Sequence, residues 1–146
     1  MKKYLLVDGH SVIFQWPELR ALHEQNRNQA RAVLSRQLAE LHETSDWLVT
    51  LVFDGKQGAT PSRDFKGMVT LYSQEGQTAD SIIERLVAQV EDKKRVVVVT
   101  ADQAERNMVE SLGSFTHSPD WLLQELNLNG KGWSGTLSEV HKRAKW

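Results

Sequence analysis

Three apolar runs in this chain end in an aspartate: Val7-Asp8, Phe53-Asp54 and Thr100-Ala101-Asp102. A fourth aspartate, Asp80, sits where a helix should begin, and Glu84 follows four residues later, on the same helical face. If the runs are parallel strands, their carboxyl ends share one edge of a sheet, the edge beyond which open α/β sheets bind ligands. Carboxylates brought together there repel one another unless a positive charge lies between them. The chain has no cysteine, and no histidine is placed as an evident ligand. Oxygen donors alone favour a hard divalent ion, Mg2+ or Mn2+. Such an ion lowers the pKa of a bound water and neutralises charge on a phosphate in transit. The chemistry that suits these residues is metal-assisted hydrolysis of a phosphodiester. Each acid also has a plainer reading. Asp8, Asp80 and Asp102 suit helix N-caps, Asp54-Gly55 suits a turn, and Glu84 suits a solvated helix surface. On spacing alone, a receiver domain or a phosphatase fits nearly as well.

The elements that must position these acids follow from hydrophobic periodicity. Tyr4 to Val7 reads as a short buried strand that ends in a turn at Asp8-Gly9. From about Pro17 to His42, Leu19, Leu22, Ala30, Leu34, Leu38 and Leu41 recur at helical steps, with a break at Asn26. Trp47 to Phe53 is a second strand, residues 55–66 a polar and basic loop, and Met68 to Tyr72 a weaker strand. Thr78-Ala79-Asp80 opens a helix to about Val90, with Ile82, Ile83, Leu86, Val87 and Val90 as its apolar stripe. Arg95 to Thr100 is the clearest strand. A helix through Ala104, Met108, Val109 and Leu112 follows and is closed by Gly113. A brief strand near Phe115-Thr116 leads to Ser118-Pro119-Asp120, a helix start, and a helix over Trp121 to Leu126. Strands alternating with helices predict an α/β fold with a central, mainly parallel sheet flanked by helices on both faces. The expected organisation is one domain over residues 1–128, with a basic, tryptophan-containing tail over 129–146.

At 146 residues, with 40% hydrophobic and 25% charged residues, the chain is sized and composed for a single packed core. The absence of cysteine removes disulfides and a thiol nucleophile, and it suits a reducing compartment. Lys2 and Lys3 are followed by only four apolar residues before Asp8, and no run of about twenty apolar residues exists. The expectation is a cytoplasmic protein without a membrane span. A net charge of −1 means that no global basic field recruits a polyanion. A nucleic acid would have to be held by a local patch or through metal ions.

The motifs around the acids resemble a known family. Leu5-Leu6-Val7-Asp8-Gly9-His10-Ser11-Val12-Ile13 with Trp16-Pro17-Glu18-Leu19, then Val52-Phe53-Asp54-Gly55, are similar to the YacP-like NYN family, relatives of the PIN-domain nucleases. The likeness continues in Glu75-Gly76-Gln77-Thr78-Ala79-Asp80-Ser81-Ile82-Ile83-Glu84-Arg85-Leu86, in Val97 to Asp102 and in Ser118 to Leu126. Each motif is short, but together they run in order from residue 4 to about 126. The resemblance implies a PIN-like three-layer fold, a divalent metal and endonucleolytic cleavage of RNA. It makes Asp8, Asp80 and Asp102 the core metal ligands, Asp54 a further acid of the site, and Glu84 a helper for metal or water. The family motif aspartate-glycine-tyrosine-asparagine is altered here to Asp8-Gly9-His10-Ser11. Ser11 keeps a hydroxyl able to reach a phosphate or an aspartate.

Lys56, Arg63 and Lys66 in the loop after Asp54, and Arg106 one turn into the helix after Asp102, are candidate phosphate contacts that would anchor RNA without reading its sequence. Trp133 and Trp146, interleaved with Lys131, Lys142, Arg143 and Lys145, suit stacking on single-stranded bases, although a solvated tail is the simpler reading. The expected partner is therefore RNA, single-stranded for preference. Some members of the family associate with the translation apparatus, which adds the ribosome as an implied partner, and the oligomeric state is open. Two other readings compete. A receiver or phosphatase would handle phosphoryl groups, but a receiver wants paired acids after its first strand and a lysine after its last. Asp8 is followed by Gly-His, and no such lysine is evident. A degenerate, non-catalytic RNA- or ribosome-binding module of the same fold is supported by the change to Ser11 and opposed by the retention of all four aspartates.

Overall fold

The computed structural model describes residues 2–55, 62–63, 67–74 and 76–129, with side chains at 62, 63, 128 and 129 left aside. Lys56, Lys66 and the tail from residue 130 fall outside the described residues, as does the side chain of Arg63. Six strands form one sheet: β1 (Lys3–Asp8), β2 (Trp47–Phe53), β3 (Ser62–Arg63), β4 (Val69–Tyr72), β5 (Val96–Val99) and β6 (Phe115–His117). The spatial order is β3-β4-β2-β1-β5-β6, parallel except for the β3–β4 pair. The helices are α1 (Gly9–Gln15), α2 (Pro17–Gln25), α3 (Arg27–Thr44), α4 (Ala79–Gln89), α5 (Gln103–Ser111) and α6 (Pro119–Asn129). No helix among the described residues is long and apolar enough to cross a membrane.

Because side chains alternate along a strand, each central strand supplies two cores. Leu5, Val7, Val49, Leu51, Phe53, Val97 and Val99 face one side, packed with Val12, Ile13, Leu19, Leu34, Leu38 and Leu122 of α1, α2, α3 and α6. Leu6, Val52, Val96 and Val98 face the other, against Ile83 and Val87 of α4 and Val109 of α5. This is the three-layer arrangement expected from the sequence. A buried tie joins two elements far apart in sequence: the indole Nε1 of Trp16 donates to the carbonyl of Pro119 at 2.9 Å, holding the end of α1 against α6.

Two local expectations are corrected. Asp8-Gly9 is not a turn, because Gly9 is already the first residue of α1, so the strand runs straight into a helix. The loop at 55–66 also contains a two-residue antiparallel strand, β3, which period-based reading overlooks because two residues carry no period. The break at Asn26 is as expected. There the side chain caps α3 by accepting from the amide of Gln29 at 3.1 Å.

Gly9 is where sequence and packing meet most tightly. A Cβ added there would lie 2.2 Å from the ring of Phe53, which is itself 1% exposed and has no room to retreat. Gly9→Ala should therefore destabilise the fold by about 1–3 kcal/mol through overpacking. Urea unfolding measures this directly, and a loss well below 1 kcal/mol would show that Phe53 repacks freely.

Candidate active site

The parallel strand order reverses at β1, which has β2 on one side and β5 on the other. Ligands of such sheets bind beyond the strand ends at that reversal. Asp8 is the last residue of β1 there, with Thr100, Ala101 and Asp102 following the end of β5 beside it. An open cleft of about 420 Å3 lies over this point, and its lining includes Asp8, Ser11, Asp54, Asp80 and Asp102. All four predicted aspartates thus meet in one cleft.

Their roles within it differ. Asp8 precedes α1 but makes no capping bond with its side chain, so the N-cap reading does not hold for it. Two hydroxyls hold it instead. Ser11 Oγ donates to Asp8 Oδ2 at 2.8 Å and Thr100 Oγ1 donates to the same oxygen at 3.2 Å. Each hydroxyl in turn accepts a backbone amide of the next loop, Ser11 from Ala101 at 3.1 Å and Thr100 from Asp102 at 3.2 Å. Ser11, expected to touch RNA, here spends its hydrogen bonds on orienting Asp8 and the 100–102 loop. Asp80 is not a cap either, because Thr78 caps α4 in a reciprocal pair with Ser81 and leaves Asp80 in the first turn. Asp102 is a true N-cap of α5, accepting from Ala104 and Glu105 amides through Oδ1. Asp54 is committed through both oxygens. Oδ1 accepts from the Ala79 amide at 2.8 Å, fixing the start of α4, and Oδ2 pairs with His10 Nδ1 at 3.4 Å. It positions the helix that carries Asp80. Arg106 is turned away, its Nε donating to Thr116 on β6 at 3.2 Å.

Glu105 was passed over by the sequence reading. It is 2% exposed, and neither of its carboxylate oxygens has a hydrogen-bond partner among the described residues. Burial, followed by the charges of Asp80, Glu84, Asp8 and Asp102, pushes its pKa up from 4.5 to about 8. Asp80 is pushed from 3.8 to about 6, first by burial and then by Asp8, Asp102, Asp54 and Glu84. Glu84, outside the cleft lining, therefore acts on the same field. The available signal was the Asp102-x-x-Glu105 spacing, which reads as a capping box. Here the Asp102 amide already bonds Thr100, and Glu105 closes no such box.

Buried carboxylates that raise one another's pKa and leave oxygens unpaired suit a cation. The donor set is oxygen only, as Mg2+ or Mn2+ requires. Among the described residues no group of three or more histidine or acidic side chains is placed so that it could hold a metal ion directly. Mg2+ keeps several waters in its shell, so acids lining an open cleft can hold it with water completing the coordination.

A carboxyl that holds its proton more tightly when folded stabilises the fold in acid and loses that stabilisation as pH rises through its folded pKa. For Asp80 the loss falls between about pH 4 and 6, and for Glu105 between about 4.5 and 8. Metal-free protein should therefore lose stability steadily from pH 5 to 8 in EDTA, and Glu105→Gln should flatten the portion above pH 6. Denaturant unfolding at stepped pH checks both, and a flat wild-type profile would contradict the crowding of these acids.

The family model described as the YacP-like NYN domain matches residues 5–146. The Bacillus subtilis (strain 168) protein YacP is 30% identical over 125 residues, covering 84% of this chain and 74% of that one. Two crystal structures of Rae1 (YacP) from Bacillus subtilis, one of a point mutant, superpose with a TM-score of 0.73 each. The first is 29% identical and covers 86% of this chain and 74% of its own; the second is 27% identical, with 97% and 79% covered. NYN domains are PIN-like and typically ribonucleases. With its parallel sheet and with its aspartates gathered at the strand reversal, the chain belongs to the YacP-like NYN family.

Proposed function

We propose that this protein is a divalent-metal-dependent endoribonuclease whose ion is held by Asp8, Asp80 and Asp102. The observation that carries the reading is the meeting of Asp8, Asp54, Asp80 and Asp102 in one cleft at the strand reversal, with Glu105 buried and its carboxylate unpaired among the described residues. A domain gains nothing in stability from such crowding unless a cation offsets it. Bound there, Mg2+ or Mn2+ would supply a water of lowered pKa and neutralise charge on the scissile phosphate.

The chain's own residues would do the rest. Ser11 and Thr100 fix the orientation of Asp8 by donating to its Oδ2, and Asp8 would help hold the ion. The α5 cap holds Asp102 in place through Oδ1, and Asp102 would be one of the residues to hold the ion. Asp54 steadies α4, and with it Asp80. Glu105 and Glu84 add negative charge behind the ligands, and a bound cation would let Glu105 ionise. RNA is the substrate class the family supports.

Asp80→Asn separates function from folding. It should lower Mn2+-dependent cleavage of a single-stranded oligoribonucleotide by about 10²–10³-fold, the scale of losing several kcal/mol of charge stabilisation. It should also raise the stability of the metal-free protein above pH 6, because one repelling charge is gone. A variant that cuts as wild type does would overturn the ligand assignment. RNA bound but left uncut by wild type in both ions would favour the non-catalytic RNA-binding module.

A further inference from the structure

A second cleft, of about 550 Å3, adjoins the acidic one and shares His10, Phe14 and Asp54 with it, but its chemistry is opposite. Its remaining walls include His23, Arg27 and Arg31. Neither arginine has a carboxylate partner among the described residues. Arg31 Nε is buried with no hydrogen-bond partner, and so is Nδ1 of His23. Buried polar atoms without partners are costly in a protein interior, and two of them sit in the walls of this cleft.

The guanidinium of Arg31 is held in place rather than free to swing. It lies 5.1 Å from the centre of the Phe53 ring, and its Nη2 meets His10 Nε2 at 3.3 Å. Arginine can only donate, so this contact uses Nε2 of His10 as acceptor, while its Nδ1 faces Asp54 at 3.4 Å. An Asp54–His10–Arg31 chain thus runs from the acidic cleft to the basic one. His23 is kept toward its neutral form by burial and then by Arg27, His10 and Arg31. The positive charge of the cleft therefore rests on the two arginines. At the lip common to both clefts stands Phe14, 50% exposed, with its ring edge-on to His23 at 4.8 Å.

We propose that this second cleft is the seat of a nucleotide flanking the cleavage point of an RNA strand: Arg27 and Arg31 hold its phosphate and Phe14 stacks on a base. Planar guanidinium groups match phosphate oxygens, and an exposed aromatic ring accepts any base without reading its sequence. A local basic cleft is what a chain of net charge −1 needs in order to hold a polyanion beside a cluster of acids. This rests on the ribonuclease reading for the identity of the strand, and the test separates the two.

Binding of a fluorescent single-stranded oligoribonucleotide to the full chain is measured in EDTA across a salt series, and cleavage of the same strand is measured with Mn2+. Arg27→Ala, at the exposed start of α3, should reduce the slope of log affinity against log salt by about 0.7, the loss of one phosphate contact. Phe14→Leu should weaken binding by about 5- to 100-fold with little change in the salt slope, the loss of one base stack. Both should raise KM while leaving kcat for saturating RNA near wild type. Arg31→Lys, which keeps the charge but not the planar fork, should weaken binding more than its unchanged charge alone would explain. If wild type cuts RNA and these variants match it in KM and salt slope, the flanking subsite is wrong and the nuclease stands. If wild type binds through Arg27 and Phe14 but never cuts, the nuclease reading is wrong and the cleft stands. Failure to bind RNA at all overturns both.

Discussion

Crowded negative charge at the reversal of strand order is the constraint on which the rest of this structure turns. Asp8, Asp80 and Asp102 share a cleft with Asp54, and Glu105 is buried behind them with both oxygens unpaired. Burial first, and then the charges of the neighbouring acids, push Asp80 and Glu105 to hold their protons. The fold tolerates it because the two flanking cores are extensive and lie away from the cleft. Strain concentrated at one edge, on an otherwise well-satisfied scaffold, is what a site built to bind something positive would show.

Around that edge the polar groups divide the labour. Ser11 and Thr100 each donate to Asp8 and accept from the 100–102 backbone, so one small network sets both the first acid and the loop that carries the third. Asp54, which looks like an equal member of the acidic set, gives its oxygens to the start of α4 and to His10. His10 then connects to Arg31, linking acidic and basic clefts through one imidazole. Ser11 thus serves as an internal support of Asp8, and that support is intact.

Much of this was legible in the sequence, and the gaps have physical causes. The strands ending at Asp8 and Asp54 stood out because buried parallel strands read as unbroken apolar runs. The helix break at Asn26 was visible as an interruption of the hydrophobic period, and the structure adds that its side chain caps the next helix. The early start of α1 was not, because glycine after aspartate signals a turn, and only the closeness of the Phe53 ring explains why glycine is needed inside a helix there. Individual N-cap readings failed for Asp8 and Asp80 and held for Asp102, a distinction that depends on hydrogen-bond partners far apart in the chain. Glu105 was hidden because a glutamate three residues after an aspartate is ordinary helix-start grammar. Its significance lies in burial, which the local pattern does not encode. Arg27 and Arg31 likewise read as the polar face of a long helix until the cleft beside His10 places them.

The central claim is that the repelling acids are arranged for a cation. Crystals of the full chain soaked in Mn2+ and measured at the manganese edge test it most directly. Anomalous density is expected in the cleft between Asp8, Asp80 and Asp102. Saturating Mn2+ with no density there, or with manganese bound only elsewhere on the molecule, would contradict it.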